Sequence, residues 1–548
     1  VSNLLSQFLH WEKNIPEKIF LRQPVNGNWQ TWTYRQAGEE VRKIANGLLS
    51  LNFPLRSNVA ILSKNCAQWI MCDLAITMAG HVSVPLYANC APASLKQILE
   101  HCDAKAIFVG KLDEYEWQSP LIPPTVQKIS IDFYGIKRGI LLSEWLSKFQ
   151  PISSLATWTD EELYTIMYTS GTTGTPKGVM FNMKAFDHTT KILVEYLKKL
   201  ENLPDHPRLF SYLPLCHIAE RNLTEMLAFY SGATISFVES LDTFARDLEL
   251  VQPDLFFGVP RIWAKFQEKI LEKMTQRRLD LLLKLPVINS IVKKAIQKKL
   301  GLSKAGLKGS GAAPIPVTLL NWFSKLGVNI REIYGMTENC ALAFANQEDI
   351  RYGTVGKALP TVDVKFSEED EILTRHVALT LGYYREPTLT TDSFTQDGFF
   401  KTGDQGKLDK DGFLTITGRV KDQFKTDKGK YVSPTPIEMK LLKNADIEQV
   451  CVVGMGIPQP IALIVLSASG KAKSREEISK SLAASLAEIN SQVEHYEHLK
   501  RAVIMSTEWT IANGLMTPTL KVKRNEVEKI HLPNYPKWYA VDSEVIWA

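Results

Sequence analysis

Tyr168-Thr169-Ser170-Gly171-Thr172-Thr173-Gly174-Thr175-Pro176-Lys177-Gly178 decides how the chain is read. An apolar run, Leu163 to Tyr168, leads into it and reads as a strand; Val179-Met180-Phe181 follows. Glycines let backbone N–H groups turn toward a guest with no Cβ in the way. Serine and threonine hydroxyls add donors, and Lys177 adds a mobile cation. Successive N–H groups in such a turn make a concave anion site, so the expected guest is a polyphosphate. The spacing is not Gly-x4-Gly-Lys-Ser/Thr, which excludes a Walker A loop. A surface turn rich in Ser, Thr and Gly is the competing reading.

Around this stretch, strand and helix patterns alternate. The spacing predicts a helix over residues 35–51, a buried strand Asn58–Leu62, a helix over 67–79, a strand Val82–Leu86, a helix over 94–102 and a strand Ala106–Val109. That alternation implies βαβ units and a parallel sheet, an α/β fold with ligands at the carboxyl ends of its strands. Further strands are expected at 208–213, 233–238 and 255–259. A turn-rich β stretch should follow Glu338 and run to Arg419. The last ~130 residues read as a separate small α+β unit, with strands at 449–453, 461–466 and 502–505 and a helix over 475–490. The expected division is a large unit 1–418, a polar hinge 419–422 and a small unit 423–548.

Length and composition set the bounds. At 548 residues the chain is too long for one core. Its 45% hydrophobic and 22% charged residues are ordinary for a globular protein, and a net charge of +5 over this length singles out no nucleic-acid partner. The seven cysteines (66, 72, 90, 102, 216, 340, 451) form no CxxC pair and no metal spacing, as expected in a reducing compartment. The chain opens without an initiating Met and without a signal pattern. It has no run of 18 apolar residues, so it is expected in the cytoplasm, or at most against the inner face of a membrane. Residues 261–308 carry thirteen Lys/Arg against three Asp/Glu. A solvated helical excursion and a patch touching anionic lipid both fit this segment. The sequence leaves oligomerisation open.

Four further motifs accompany the first: Gly309-Ser310-Gly311-Ala312-Ala313-Pro314, Tyr334-Gly335-Met336-Thr337-Glu338, Lys401-Thr402-Gly403-Asp404 with Arg419, and Asn513-Gly514-Leu515-Met516-Thr517-Pro518-Thr519-Leu520-Lys521. Taken in this order, the five resemble the adenylate-forming superfamily of acyl-CoA synthetases, luciferases and peptide-synthetase adenylation domains. They are most similar to long-chain fatty acid–CoA ligases. The resemblance implies that Thr169, Ser170, Gly171, Thr172, Thr173, Gly174 and Lys177 cradle the phosphates of ATP. It places Mg²⁺ between Thr169 and Glu338, Thr337 at the α-phosphate, Tyr334 on adenine, and Gly311, Ala312 and Ala313 beside that base. Asp404 would bind ribose and Arg419 ribose or the α-phosphate.

Lys521 resembles the lysine that bridges carboxylate and α-phosphate, an expectation with a clear reason, since anion must meet anion there. His217, in Leu213-Pro214-Leu215-Cys216-His217-Ile218-Ala219-Glu220-Arg221, resembles the residue beside the acyl carboxylate; a core histidine is the plainer alternative. Lys421 matches the family's hinge position. Lys425 and Lys430 would serve the later step with CoA. His376-Val377 stands where Gly-Pro is usual, and Pro436 where Glu is common. The implied reaction joins a fatty acid to CoA through acyl-AMP. A fatty acyl-AMP ligase serving a carrier protein, and an inactive lipid- or nucleotide-binding relative, are the alternatives.

Overall fold

The structure, a computed structural model, describes residues 4–169, 176–201, 203–517 and 520–548. Its centre is an eight-stranded sheet in which Asn58–Leu62, Val82–Leu86 and Ala106–Val109 run parallel, every residue of the three strands buried. Continuous apolar runs are what such doubly covered strands require. The helix Ala67–Met78 packs over them and is buried along its whole length. The helix Tyr34–Leu49 starts where Thr33 and Gln36 close a capping box, satisfying two otherwise orphan N–H groups. The strand Leu163–Thr169 joins the same sheet parallel to Val82–Leu86, as the sequence suggested. Its other neighbour, Lys177–Asn182, is antiparallel, with Thr169 opposite Lys177 as the last registered pair. The first motif therefore sits between two paired strand ends, at the carboxyl end of a parallel strand. Ser170 to Thr175 lie outside the described residues.

A second sheet sets Leu255–Phe257, Leu307–Ser310 and Arg331–Tyr334 side by side in parallel. Their carboxyl ends deliver Pro260, Gly311–Ala313 and Tyr334–Glu338 to one edge of the large lobe. A four-stranded antiparallel sheet, Asp363–Phe366, Glu371–Arg375, Phe400–Leu408 and Leu414–Arg419, fulfils the expected β stretch. It is interrupted by the helix Pro387–Asp392, which the sequence reading did not foresee.

The C-terminal lobe has its own two apolar clusters, drawn from residues 424–546. Ile447–Val453, Ile461–Leu466 and Arg501–Ile504 form its sheet, covered by Arg475–Asn490, whose boundaries match the sequence prediction. A fourth strand, Val545–Trp547, was missed: three residues are too short for a periodic signal, and parallel pairing with Arg501–Ile504 makes it a strand. The basic segment forms three helices, Pro260–Lys273, Gln276–Lys284 and Pro286–Lys299. Among the described residues no helix is long and apolar enough to cross a membrane. All seven cysteines are buried and unbridged.

Candidate active site

A cavity of about 2290 Å³ opens between the lobes. Thr169, Lys177, His217, Gly311, Ala312, Ala313, Tyr334, Thr337, Glu338, Asp404, Arg419, Lys421 and Lys521 all line it. Lys425 and Lys430 do not; they sit at the Phe424–Lys425 and Tyr431–Val432 hairpin, with their Nζ atoms 5.5 Å from the Tyr431 ring and 5.8 Å from the Tyr496 ring. Ser170, Gly171, Thr172, Thr173 and Gly174 lie outside the described residues.

Asp404 and Arg419, fifteen residues apart in sequence, are direct cross-strand neighbours. Arg419 Nε donates to Asp404 Oδ1 at 2.7 Å, and the Tyr334 hydroxyl donates to Asp404 Oδ2 at 2.8 Å. Three of the expected nucleotide contacts are thus one hydrogen-bonded unit, which holds the Tyr334 ring against the cavity wall. Gly311 answers to packing as well: a Cβ there would stand 2.6 Å from the carbonyl oxygen of Ile333 and 3.0 Å from the Phe257 ring. The expectation that it makes room for a base is not needed to explain it. Gly335 is equally constrained, with the Ala341 backbone 2.8 Å from its would-be Cβ.

Glu338 lies in a short 3-10 turn, Thr337–Asn339, and is buried. Its Oε1 accepts from the Tyr383 hydroxyl at 3.0 Å. Burial pushes its pKa up, opposed by hydrogen bonds from its own backbone and Tyr383 and by the charges of Arg419 and Lys177. A buried carboxylate that faces a cavity and has no cation bonded to it among the described residues suits a hard divalent ion. Tyr383, in Gly382-Tyr383-Tyr384, is not singled out by the sequence, because nothing local ties it to Glu338. Lys177 Nζ lies 5.5 Å from the Tyr383 ring, and burial together with Lys421 lowers its pKa.

The C-terminal lobe contributes Lys521, which is tied to Thr517: the Thr517 N–H donates to the Lys521 carbonyl at 2.8 Å, and its Oγ1 accepts from the Lys521 N–H at 3.0 Å. Leu520 and Ala312, on opposite walls, both hold φ in the left-handed region, at 62° and 65°. Such strain gathers at functional sites. Lys521 lines the cavity and is exposed as a residue, while protein crowds its ammonium. That enclosure and Arg419 lower its pKa, while Asp404 and Glu338 raise it. His217 caps the next helical turn, its Nδ1 accepting from the Ala219 N–H at 3.3 Å, so Nε2 carries the ring proton. Desolvation first, then Lys521, brings its pKa down to about 4.

The chain after His217 holds what the sequence reading did not assign. Arg221, fully buried, pairs with Asp73 at 2.7 Å and lies 3.2 Å from Glu225 in ion-pair range. Residues Arg221–Met226 wind as a π-helix, a form often found beside functional sites. Glu220 accepts from the Ser211 hydroxyl at 2.8 Å, and burial raises its pKa to about 8. Glu225 stands four residues along the same helix from Arg221, whereas Asp73 lies 148 residues away and no local pattern signals it. Beyond His217 the lining turns apolar with Ile192, Leu193, Leu223, Leu342 and Leu359, all of one hydrophobic cluster. The lobes also meet through an ion pair between Arg261 and Glu448.

A large α/β lobe and a small α+β lobe closing on a cavity that is charged at one end and aliphatic at the other define an adenylate-forming ligase. The chain belongs to the AMP-binding enzyme family: that family matches residues 8–384, and the AMP-binding enzyme C-terminal domain matches residues 421–539. It is 29% identical to the long-chain-fatty-acid–CoA ligase FadD15 of Mycobacterium bovis, over 96% of this chain and 95% of that protein. Among solved structures, the adenylation domain of a carboxylate reductase from Mycobacterium chelonae superimposes with a TM-score of 0.80 at 20% identity, covering 98% of this chain and 91% of that one. ATP-bound MatB from Rhodopseudomonas palustris gives 0.76 at 21% identity, covering 97% of this chain and 100% of that one.

Proposed function

We propose that the protein activates a long-chain fatty acid: its carboxylate attacks the α-phosphate of ATP, giving acyl-AMP and pyrophosphate, and the thiolate of CoA then displaces AMP to give acyl-CoA. The observation that carries this reading is the convergence of Lys521 from one lobe with His217, Glu338, Asp404 and Arg419 from the other on a single cavity. In this arrangement Lys521 is the cation between two anions, offsetting their repulsion and the charge that builds on phosphorus. His217, neutral at pH 7, donates its Nε2–H to an oxygen of the acid or phosphate. Asp404, oriented by Arg419 and Tyr334, accepts from ribose hydroxyls. Glu338 and Thr169 would hold Mg²⁺, which screens the phosphate oxygens when bound.

The small lobe, residues 423–548, then turns about Lys421 in the hinge 419–422, carrying Lys521 away. Lys425 and Lys430, off the cavity in this arrangement, are the residues that such a turn would bring in for the CoA step. The aliphatic wall favours a long acyl chain, each buried methylene contributing about 0.8 kcal/mol, or roughly fourfold in affinity. The relative FadD15, named for its activity on long-chain acids, agrees in kind.

The test is ATP–pyrophosphate exchange with carboxylic acids of graded length, followed by addition of CoA. Exchange that strengthens with chain length, and AMP-coupled thioester formation, are expected. Exchange with no acid would leave a binding protein. Acyl-AMP accumulating in the presence of CoA would point to a carrier protein as acceptor.

A further inference from the structure

The corner where the Gln276–Lys284 helix meets the Pro286–Lys299 helix is aliphatic and open to solvent. Val287, Ile291 and Leu281 are 74, 62 and 61% exposed, and Leu285 and Ile288 are 40 and 39% exposed. The second helix buries none of its residues fully, and the first buries only Leu279. Isolated exposed leucines are ordinary, but five aliphatic side chains at one helical corner are not. Around them stand Arg277, Arg278, Lys284, Lys293, Lys294 and Lys298, none of which forms an ion pair among the described residues. The one acid on the two helices is Asp280, which accepts a hydrogen bond from Gln276.

We propose that this corner docks on an anionic lipid bilayer, the five aliphatic side chains entering the headgroup boundary while the flanking cations meet lipid phosphates. Charge selects the occupant. A second copy of the chain would press one set of unpaired cations against another. A partner helix needs a groove to lie in, whereas these side chains project from a turn. An aliphatic edge ringed by Lys and Arg is the pattern of interfacial helices. The position gives the contact a use. The Pro260–Lys273 helix lines the cavity with Leu271 and Glu272 and is followed directly by the Gln276–Lys284 helix that leads to the corner, so the corner and the rim of the cavity belong to one continuous helical segment. The docking itself does not depend on which acid the enzyme activates.

The test is co-sedimentation of the full chain with phosphatidylcholine vesicles, with and without phosphatidylglycerol. Binding is expected to the anionic vesicles and to weaken as salt rises. Lys293→Glu combined with Lys294→Glu should lower partitioning by about a hundredfold. Val287→Asp with Ile291→Asp should abolish it, with ATP–pyrophosphate exchange unchanged for both pairs. Because all seven native cysteines are buried, Ser290→Cys accepts a single environment-sensitive dye at the corner, and its emission should shift to the blue on anionic vesicles. No binding, equal binding to neutral vesicles, full binding by the Asp variants, or a dye that stays in water would each overturn the proposal. So would concentration-dependent self-association that Val287→Asp removes, since that identifies a second copy as the occupant.

Discussion

Replacing Lys521 by Ala withdraws a charge that the C-terminal lobe places beside Glu338, Asp404 and His217. Its loss can be sized. Two unit charges about 4 Å apart at an effective dielectric of about 20 interact by about 4 kcal/mol, equivalent to roughly a thousandfold in rate. Arg419 and Lys177 line the same cavity and retain part of that screening, so the expected fall in adenylation is about 10²–10³. The effect on folding should have the opposite sign. Enclosure and Arg419 already push the Lys521 pKa down, which means that its charge is held at a cost. The variant should unfold at the parent temperature or slightly above it. ATP–pyrophosphate exchange reads the first half-reaction, and CoA added to synthetic acyl-AMP reads the second, which should proceed at the parent rate. If exchange stays within about tenfold of the parent, the ammonium does not stand between the reacting anions. If both half-reactions fall together with the melting temperature, Lys521 is a structural residue and the reasoning fails.

Arg221→Met should cost about 3–5 kcal/mol in urea unfolding, because Asp73 is left buried without its guanidinium and Glu225, whose pKa burial already raises, cannot replace it. Gly335→Ala forces a Cβ to within 2.8 Å of the Ala341 backbone. The loop must shift, at about 1–3 kcal/mol, and KM for ATP should rise as Tyr334 and Thr337 move with it. His217 and His376 both have pKa values near 4 in the fold, against an ordinary 6.5, through burial first and then Lys521 and His188 respectively. The unfolded chain therefore binds more protons in that window. Their contribution is complete above pH 6.5 and is lost as pH falls toward 4, by up to about 3 kcal/mol each. Urea midpoints across that range should fall less steeply in His376→Asn.

Much of this protein can be read from its chain because local rules suffice. The runs Asn58–Leu62, Val82–Leu86 and Ala106–Val109 are aliphatic without interruption, and only burial on both faces accommodates that. The Arg475–Asn490 helix carries its own capping box at Ser474 and Glu477, so its start is fixed without tertiary help. The motifs at 311–313, 334–338, 404–419 and 521 announce a shared site because their residue types suit one chemistry. Other features have no local signature. Hydrogen bonds from Tyr334 to Asp404 and from Tyr383 to Glu338 cross 70 and 45 residues of chain. The Arg221 ion pair with Asp73 crosses 148. The antiparallel return of Lys177–Asn182, the short strand Val545–Trp547 and the approach of Lys521 to His217 likewise depend on which surfaces meet. Periodicity and capping act over a few residues and are written in the sequence; ion pairs, desolvation and lobe closure arise between segments that only the folded chain brings together.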